Sequence, residues 1–325
     1  MYLKAELCAA ILESTRVYSW NYITEYRSAF ISKPSTYFEL LSPKTWNGEP
    51  HVVMISGGVH SSACYLVTPD GRPGWAHAFL REGYKVVLVD WPGVGRSGYV
   101  APEDLGGDLI VDGIGQVLEE VGAPSIVMTH SMAGAFGWKL IEHRANLIQK
   151  LVAIAPAPPG NMGIRLGKLI GGDSRLKSIE MASGLLELHL DRVMYPDKEF
   201  QRRKLVGSSR RFPNRVFESY YRSLLGISGR LVFERTNIDD SQLCVSDRNA
   251  FAGKPIAVVT GTADTDHPRA VDAAIVDWLK EFGAIARHLY LGDWGVEGNG
   301  HMIMLEENSD EVVNLIIRWI RSEPR

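Results

Sequence analysis

"SIVMTHSMAGAFGWKL", residues 125–140, begins as an apolar run and continues as a helix-like segment, with His130-Ser131-Met132-Ala133-Gly134 at the junction. A serine at the end of a buried strand becomes a nucleophile only if the chain turns sharply there, with its oxygen exposed and small residues around it. The pattern G-x-S-x-G meets that need. Here the flanking positions are Thr129 and Ala133. Ala is an easy substitute for Gly, and Thr favours strand geometry. Taken alone, the stretch leaves two readings open: a nucleophile, or a small polar residue in an ordinary strand-to-helix turn.

The surrounding chain repeats the same rhythm. "HVVMIS" (51–56), "YKVVLVD" (84–90), "SIVMT" (125–129), "LVAIA" (151–155), "PIAVVT" (255–260) and "ARHLYLG" (286–292) are short, β-branched and nearly all apolar. Such runs suit strands covered on both faces of a parallel sheet. Helical spacing appears between them, in "GWAHAFLREG" (74–83) and "AVDAAIVDWLKEF" (270–282). "TYFELLSP" (36–43) reads as an earlier strand, and "SDEVVNLIIRWIRSE" as a closing amphipathic helix capped by Ser309. Strand–helix alternation predicts an α/β fold with right-handed crossovers.

Residues 156–250 break the rhythm. They contain no clear buried-strand run, and they are far too long for a loop in a compact domain. The expectation is a helical cap inserted into a core made of 1–155 and 251–325, with an N-terminal extension over about 1–35. The insertion holds 16 Lys+Arg and 11 Asp+Glu, a local +5, which leaves −8 for the rest of a chain whose net charge is −3. That net charge argues against a general nucleic-acid binder. Cys8, Cys64 and Cys244 stand far apart and form no CxxC pair, so a reducing compartment and small buried roles are expected. Lys4, Glu6 and Glu13 interrupt the N-terminal apolar residues, and no apolar run approaches the roughly 20 residues of a membrane span. The expected setting is cytoplasmic, without membrane partners. Oligomeric state is open, and the aromatic stretch Tyr18, Trp20, Tyr22, Tyr26 and Phe30 is free to pack on the body, cover the site or contact another subunit.

In an open parallel sheet, function gathers at the carboxyl ends of the strands. The first run ends in Ser56-Gly57-Gly58-Val59-His60, a glycine pair able to turn an amide into a cleft. The second ends in "DWPGVGRSG" (90–98), a tight turn. The third ends at Ser131. "GTADTDHP" (261–268) puts Asp264 and Asp266 past a strand, and "GNGHMIM" (298–304) puts His301 after a glycine-rich loop. Each has a plain structural reading by itself: flexible turn, turn-forming aspartate, core histidine. Together they give Ser, then Asp, then His in chain order at successive strand ends, and the opening question resolves in favour of a nucleophile.

These residues resemble the α/β-hydrolase superfamily, over roughly 50–156 and 252–325. The resemblance is carried by Ser56-Gly57-Gly58, Asp90-Trp91-Pro92-Gly93-Val94-Gly95-Arg96-Ser97, His130-Ser131-Met132-Ala133-Gly134, Gly261-Thr262-Ala263-Asp264 and Gly300-His301. "TPDGRPGWAHAFLREGY" (68–84) also looks like a branch of bacterial esterases with a TPDGR-x-GW stretch. The resemblance implies a mostly parallel central sheet with helices on both faces and a cap insertion. It implies Ser131 as nucleophile, His301 as base, Asp264 as the acid that orients it, and the amides of Gly58 and Met132 as oxyanion hole. Asp266 is the alternative acid, more suited to shaping the turn or capping the helix that follows. His60, Val59, Trp91 and His130 are candidate pocket residues. The departures are Ser56-Gly57 where the superfamily has His-Gly, and Thr129 and Ala133 at the elbow. The chemistry needs no cofactor or metal. The expected activity is hydrolysis of a carboxylic ester, a lactone or a related acyl substrate, and the positive charge of residues 156–250 suits an anionic one. The alternatives are a C–C bond hydrolase or amidase with the same triad, or a ligand-binding protein on this scaffold.

Overall fold

The computed structural model describes residues 21–322 except 182, 183 and 196. In chain order its strands are β1 (Ile23–Ser32), β2 (Ser35–Pro43), β3 (Val52–Ile55), β4 (Val86–Asp90), β5 (Ser125–His130), β6 (Ile148–Ile154), β7 (Lys168–Gly172), β8 (Leu176–Met181), β9 (Gly184–His189), β10 (Val193–Met194), β11 (Ile227–Ser228), β12 (Pro255–Thr260) and β13 (Ile285–Tyr290). The α-helices are α1 (Trp75–Arg81), α2 (Gly107–Val121), α3 (Ala133–Arg144), α4 (Lys198–Gln201), α5 (Phe217–Ser223), α6 (Gly229–Thr236), α7 (Arg269–Glu281) and α8 (Ser309–Ser322).

An eight-stranded sheet in the order β1-β2-β4-β3-β5-β6-β12-β13 forms the body. β3, β4, β5, β6, β12 and β13 run parallel, whereas β2 pairs antiparallel with β4 and β1 antiparallel with β2. The α/β-hydrolase fold read from the sequence is the fold observed. β3, β4, β5 and β12 are buried at every residue, as continuous apolar runs covered on both faces must be. The registers Ile55↔Thr129, His130↔Ile154 and Thr260↔Tyr290 bring the carboxyl ends of these strands to one edge. Ser131, Asp264 and His301 all follow that edge.

Two local expectations change. Ser309 is the first residue of α8, and its hydroxyl accepts a hydrogen bond from Arg72 at 3.2 Å. The N-cap of α7 is Pro268, with no side-chain cap, because Asp266 is paired with Lys204 instead. The N-terminal stretch packs on the body as edge strand β1. Tyr22 meets His77 at 2.8 Å, Tyr26 donates to Glu39 at 2.6 Å, and Phe30 stacks edge-on against Tyr37. Tyr18, Trp20, Cys8 and the charged residues of the first 20 positions lie outside the described residues. Cys64 and Cys244 are free thiols and only partly buried.

The insertion is not all helical. β7, β8 and β9 form a three-stranded antiparallel sheet, and β10 pairs with β11. These strands escaped the sequence reading because they carry glycines and charges and are mostly exposed. Only Ile179 and Leu188 sink into a small satellite core with Ile238. The insertion touches the body at the carboxyl edge of the sheet. Arg210 N donates to Gly298 O at 2.9 Å, Leu225 N to Val59 O at 2.9 Å, and Ser228 Oγ to Pro102 O at 2.8 Å. No helix among the described residues is long and apolar enough to cross a membrane.

Candidate active site

Ser131 sits between β5 and α3 with φ at +52°, a left-handed conformation that non-glycine residues avoid. Backbone bonds hold it there. Its amide donates to Ile154 O at 2.9 Å, and its carbonyl accepts from Gly134 N and Ala157 N, both at 2.8 Å. The turn demands close approach. A Cβ on Gly134 would meet Pro156 Cβ at 2.5 Å, so this glycine cannot be replaced. Thr129 is fully buried where small residues are expected. Its bulk is accommodated one turn further along α3, where a Cβ on Gly137 would lie 3.0 Å from Thr129 Cγ2. The missing elbow glycine has thus moved to the helix side.

Asp264 and His301 complete a hydrogen-bonded chain. His301 Nε2 lies 2.9 Å from Ser131 Oγ, and His301 Nδ1 lies 2.8 Å from Asp264 Oδ2. With an ionised Asp264, Nδ1 carries the proton and Nε2 accepts from the serine hydroxyl. Burial opposes ionisation of Asp264, but the adjacent His301 and the Asp266 amide outweigh it and hold the carboxyl well below the usual range. Burial pulls His301 below the ordinary histidine value, against the upward pull of Asp264. His301 is therefore neutral at rest. The close packing of Gly261 allows this arrangement, since a Cβ there would strike Asn299 O at 2.5 Å.

The loop after β3 runs alongside the elbow. A Cβ on Gly57 would meet Ser131 Cβ at 2.9 Å and His130 Nδ1 at 2.8 Å. Among the described residues, the amides of Gly58 and Met132 have no hydrogen-bond acceptor. Ser56 Oγ donates to His60 O at 2.9 Å and closes the loop, and Trp91 Nε1 donates to Ser56 O at 3.1 Å. Asp90 anchors the next turn by accepting from Ser62 N, Ser62 Oγ, Arg96 N and Arg96 Nε at 2.7–3.0 Å.

The alpha/beta hydrolase family matches residues 52–315. The chain belongs to this family. A curated relative, the probable secreted lipase phiG of Fungal sp. (strain ATCC 74256), is 24% identical over 84% of this chain and 82% of its own. Among solved structures, a bacterial membrane phospholipase A superposes with a TM-score of 0.61 at 13% identity, over 98% of this chain and 92% of that one. The N-acyl homoserine lactonase AidH superposes with a TM-score of 0.59 at 19% identity, over 93% and 98%.

In this alpha/beta hydrolase the four candidate pocket residues are all buried, and each is engaged behind the site. His130 Nε2 lies 3.0 Å from the His301 carbonyl, so it staples the backbone of the base. Trp91 supports the Ser56 carbonyl from below. Val59 holds a φ of +61°, and His60 bridges Gly58 O and Tyr220 Oη, both at 2.8 Å. Asp266 turns to Lys204 of the insertion, and its amide supports Asp264 at 3.0 Å. Asp264, His267 and His301 each bring a potential ligand atom within 4.8 Å of the others, yet His301 already uses both ring nitrogens.

The supporting roles of Glu306 and His267 gave no sign in the sequence. Glu306, fully buried, accepts from Gly300 N at 2.8 Å and Asn299 Nδ2 at 2.6 Å, and bonds Ser209 of the insertion. His267 stacks on His301 with ring centroids 5.3 Å apart and is itself tied to Asp272 at 3.0 Å. The TPDGR stretch was visible as a motif without a role. Arg72 from it donates to Leu305 O, Glu306 O and Glu307 O, and Trp75 Nε1 to Ser309 O, all at 3.0–3.3 Å. The stretch clamps the segment that carries His301.

Proposed function

We propose that this alpha/beta hydrolase is a serine hydrolase that cleaves a carboxylic ester or lactone, with residues 156–250 as its cap. The observation that carries the reading is the continuous chain Ser131–His301–Asp264, with contacts of 2.9 and 2.8 Å. Ser131 Oγ attacks the acyl carbonyl carbon while its proton passes to His301 Nε2. The amides of Gly58 and Met132 hold the developing oxyanion. Collapse of the tetrahedral adduct gives the acyl-enzyme, and His301 returns the proton to the departing alkoxide. Water, activated by the same imidazole, releases the acid. The activities of the similar proteins, a lipase, a phospholipase and a lactonase, support an ester-type bond.

The substrate is further proposed to carry a remote anionic group. Arg202, Lys204, Arg210, Arg211 and Arg215 all have partners in Asn214, Asp266, Glu297, the Glu297 carbonyl and Asp70. Arg235 on α6 differs. It is half-buried, burial pulls its guanidinium down to about 10, and it forms no ion pair among the described residues. Asp266 is its one charged neighbour of note.

The deciding experiment is labelling with a fluorophosphonate, followed by mapping of the modified residue, alongside burst kinetics with a chromogenic short-chain ester. Modification at Ser131 with an acyl burst is expected. A label elsewhere, or none in a folded protein, overturns the reading.

A further inference from the structure

The loop 56–60 that presents the Gly58 amide is not self-sufficient. Val59 is β-branched and held at φ +61°, a conformation that persists only where surrounding contacts over-determine it. Ser56 and Trp91 supply two of those contacts from the body, as described above. The rest come from the insertion. Leu225 N donates to the Val59 carbonyl at 2.9 Å. Ile227 Cδ1 presses on the Gly58 backbone so closely that a Cβ there would lie 3.0 Å away. Tyr220 Oη meets His60 Nε2 at 2.8 Å, with the two rings stacked at 5.8 Å.

The polarity of this last bond can be worked out. Burial pulls His60 down to about 4, so the ring is neutral at ordinary pH and carries one N–H. The Gly58 carbonyl can only accept, so the proton is on Nδ1 and bonds Gly58 O at 2.8 Å. Nε2 is then an acceptor, and the Tyr220 hydroxyl donates to it. A fully buried tyrosine from α5 thereby orients the imidazole that grips the peptide next to the oxyanion amide. His60 serves the loop that lacks the superfamily's histidine at position 56.

Resting on the triad reading above, we propose that Tyr220 is a positioning residue for the oxyanion loop, acting through His60, so that the cap builds half of the support for the Gly58 amide. The substituent is far from the nucleophile in sequence, and its effect is on the transition state and not on substrate binding. Small displacements of such a donor are costly, since loss of a whole oxyanion donor lowers kcat by roughly 10²–10³.

The test uses the full-length protein and the Tyr220→Phe variant, which keeps the ring and removes the hydroxyl. Wild type is first shown to turn over a short-chain ester in a Ser131-dependent way; failure there overturns the triad reading and this proposal with it. Tyr220→Phe is then expected to lose about tenfold in kcat with KM nearly unchanged. It should lose the same factor in affinity for a boronic acid, whose tetrahedral adduct uses the oxyanion amides. His60→Asn should give a similar loss, and the double variant no more than either alone. A wild-type kcat and boronate affinity in folded Tyr220→Phe overturns the positioning role alone. So does additive loss in the double variant, or a loss confined to KM.

Discussion

Ser131 is half-buried with a strained backbone, and its neighbours in space are a neutral imidazole and a free amide. Ser131→Ala should therefore keep the fold and lose at least about 10³-fold in kcat, as removal of a triad member does. Retained esterase activity in folded Ser131→Ala would remove it from the mechanism. Asp264 and Asp266 separate cleanly. Asp264→Asn leaves His301 in the wrong tautomer and should cost orders of magnitude in rate, whereas Asp266→Asn breaks an exposed ion pair with Lys204 and should change kcat by less than about threefold. A reversed pattern would reassign the acid. The pH profile follows from burial of His301. Its pKa lies below the ordinary value of about 6.5, so kcat/KM should hold level as pH falls through 7 and drop only in the acid range below that value. A limb centred above 7 would contradict a neutral resting base.

At the scale of elements, the meeting of β5 with α3 invites a direct test. Gly137→Ala places a Cβ against Thr129 Cγ2 and Leu151 Cδ1 and should destabilise by about 1–3 kcal/mol, read as a lower melting temperature. Thr129→Ala in the same chain removes the obstacle, and it also removes a buried hydroxyl that has no partner among the described residues. The pair should recover most of the loss, and independent, additive effects would refute the compensation. The body strands were legible because their burial on both faces writes itself as unbroken apolar runs, and the strand ends gave up Ser131, Asp264 and His301 in order. The insertion was not legible, because β7 and β9 are exposed and their glycines and charges follow no apolar period. The supporting residues were equally silent. Arg72 and Tyr220 act on groups 160 or more positions away, and Glu306 ties Gly300 to Ser209 97 positions before it, so no local pattern records the partner.

For the whole molecule, charge is divided between +5 on residues 156–250 and −8 on the rest. If Arg235 receives a remote anion, esters bearing a distal carboxylate should show higher kcat/KM than neutral esters of the same shape. The preference should shrink as ionic strength rises and vanish in Arg235→Gln. Equal rates for the two substrates at low salt would remove the anionic preference.

The bond between Ser131 and His301 spans 170 positions, and the Arg72 clamp on the Glu306 carbonyl spans 234. Synthesis at roughly 5–20 residues per second puts at least several seconds between the appearance of the nucleophile and that of its base. During that interval Ser131 is present without the residue that would draw off its proton. Catalytic power arrives last, all at once, when the segment around residue 301 threads under the arginine already waiting for it. On the triad reading, a nascent chain stalled short of residue 301 lacks its base and should be inactive.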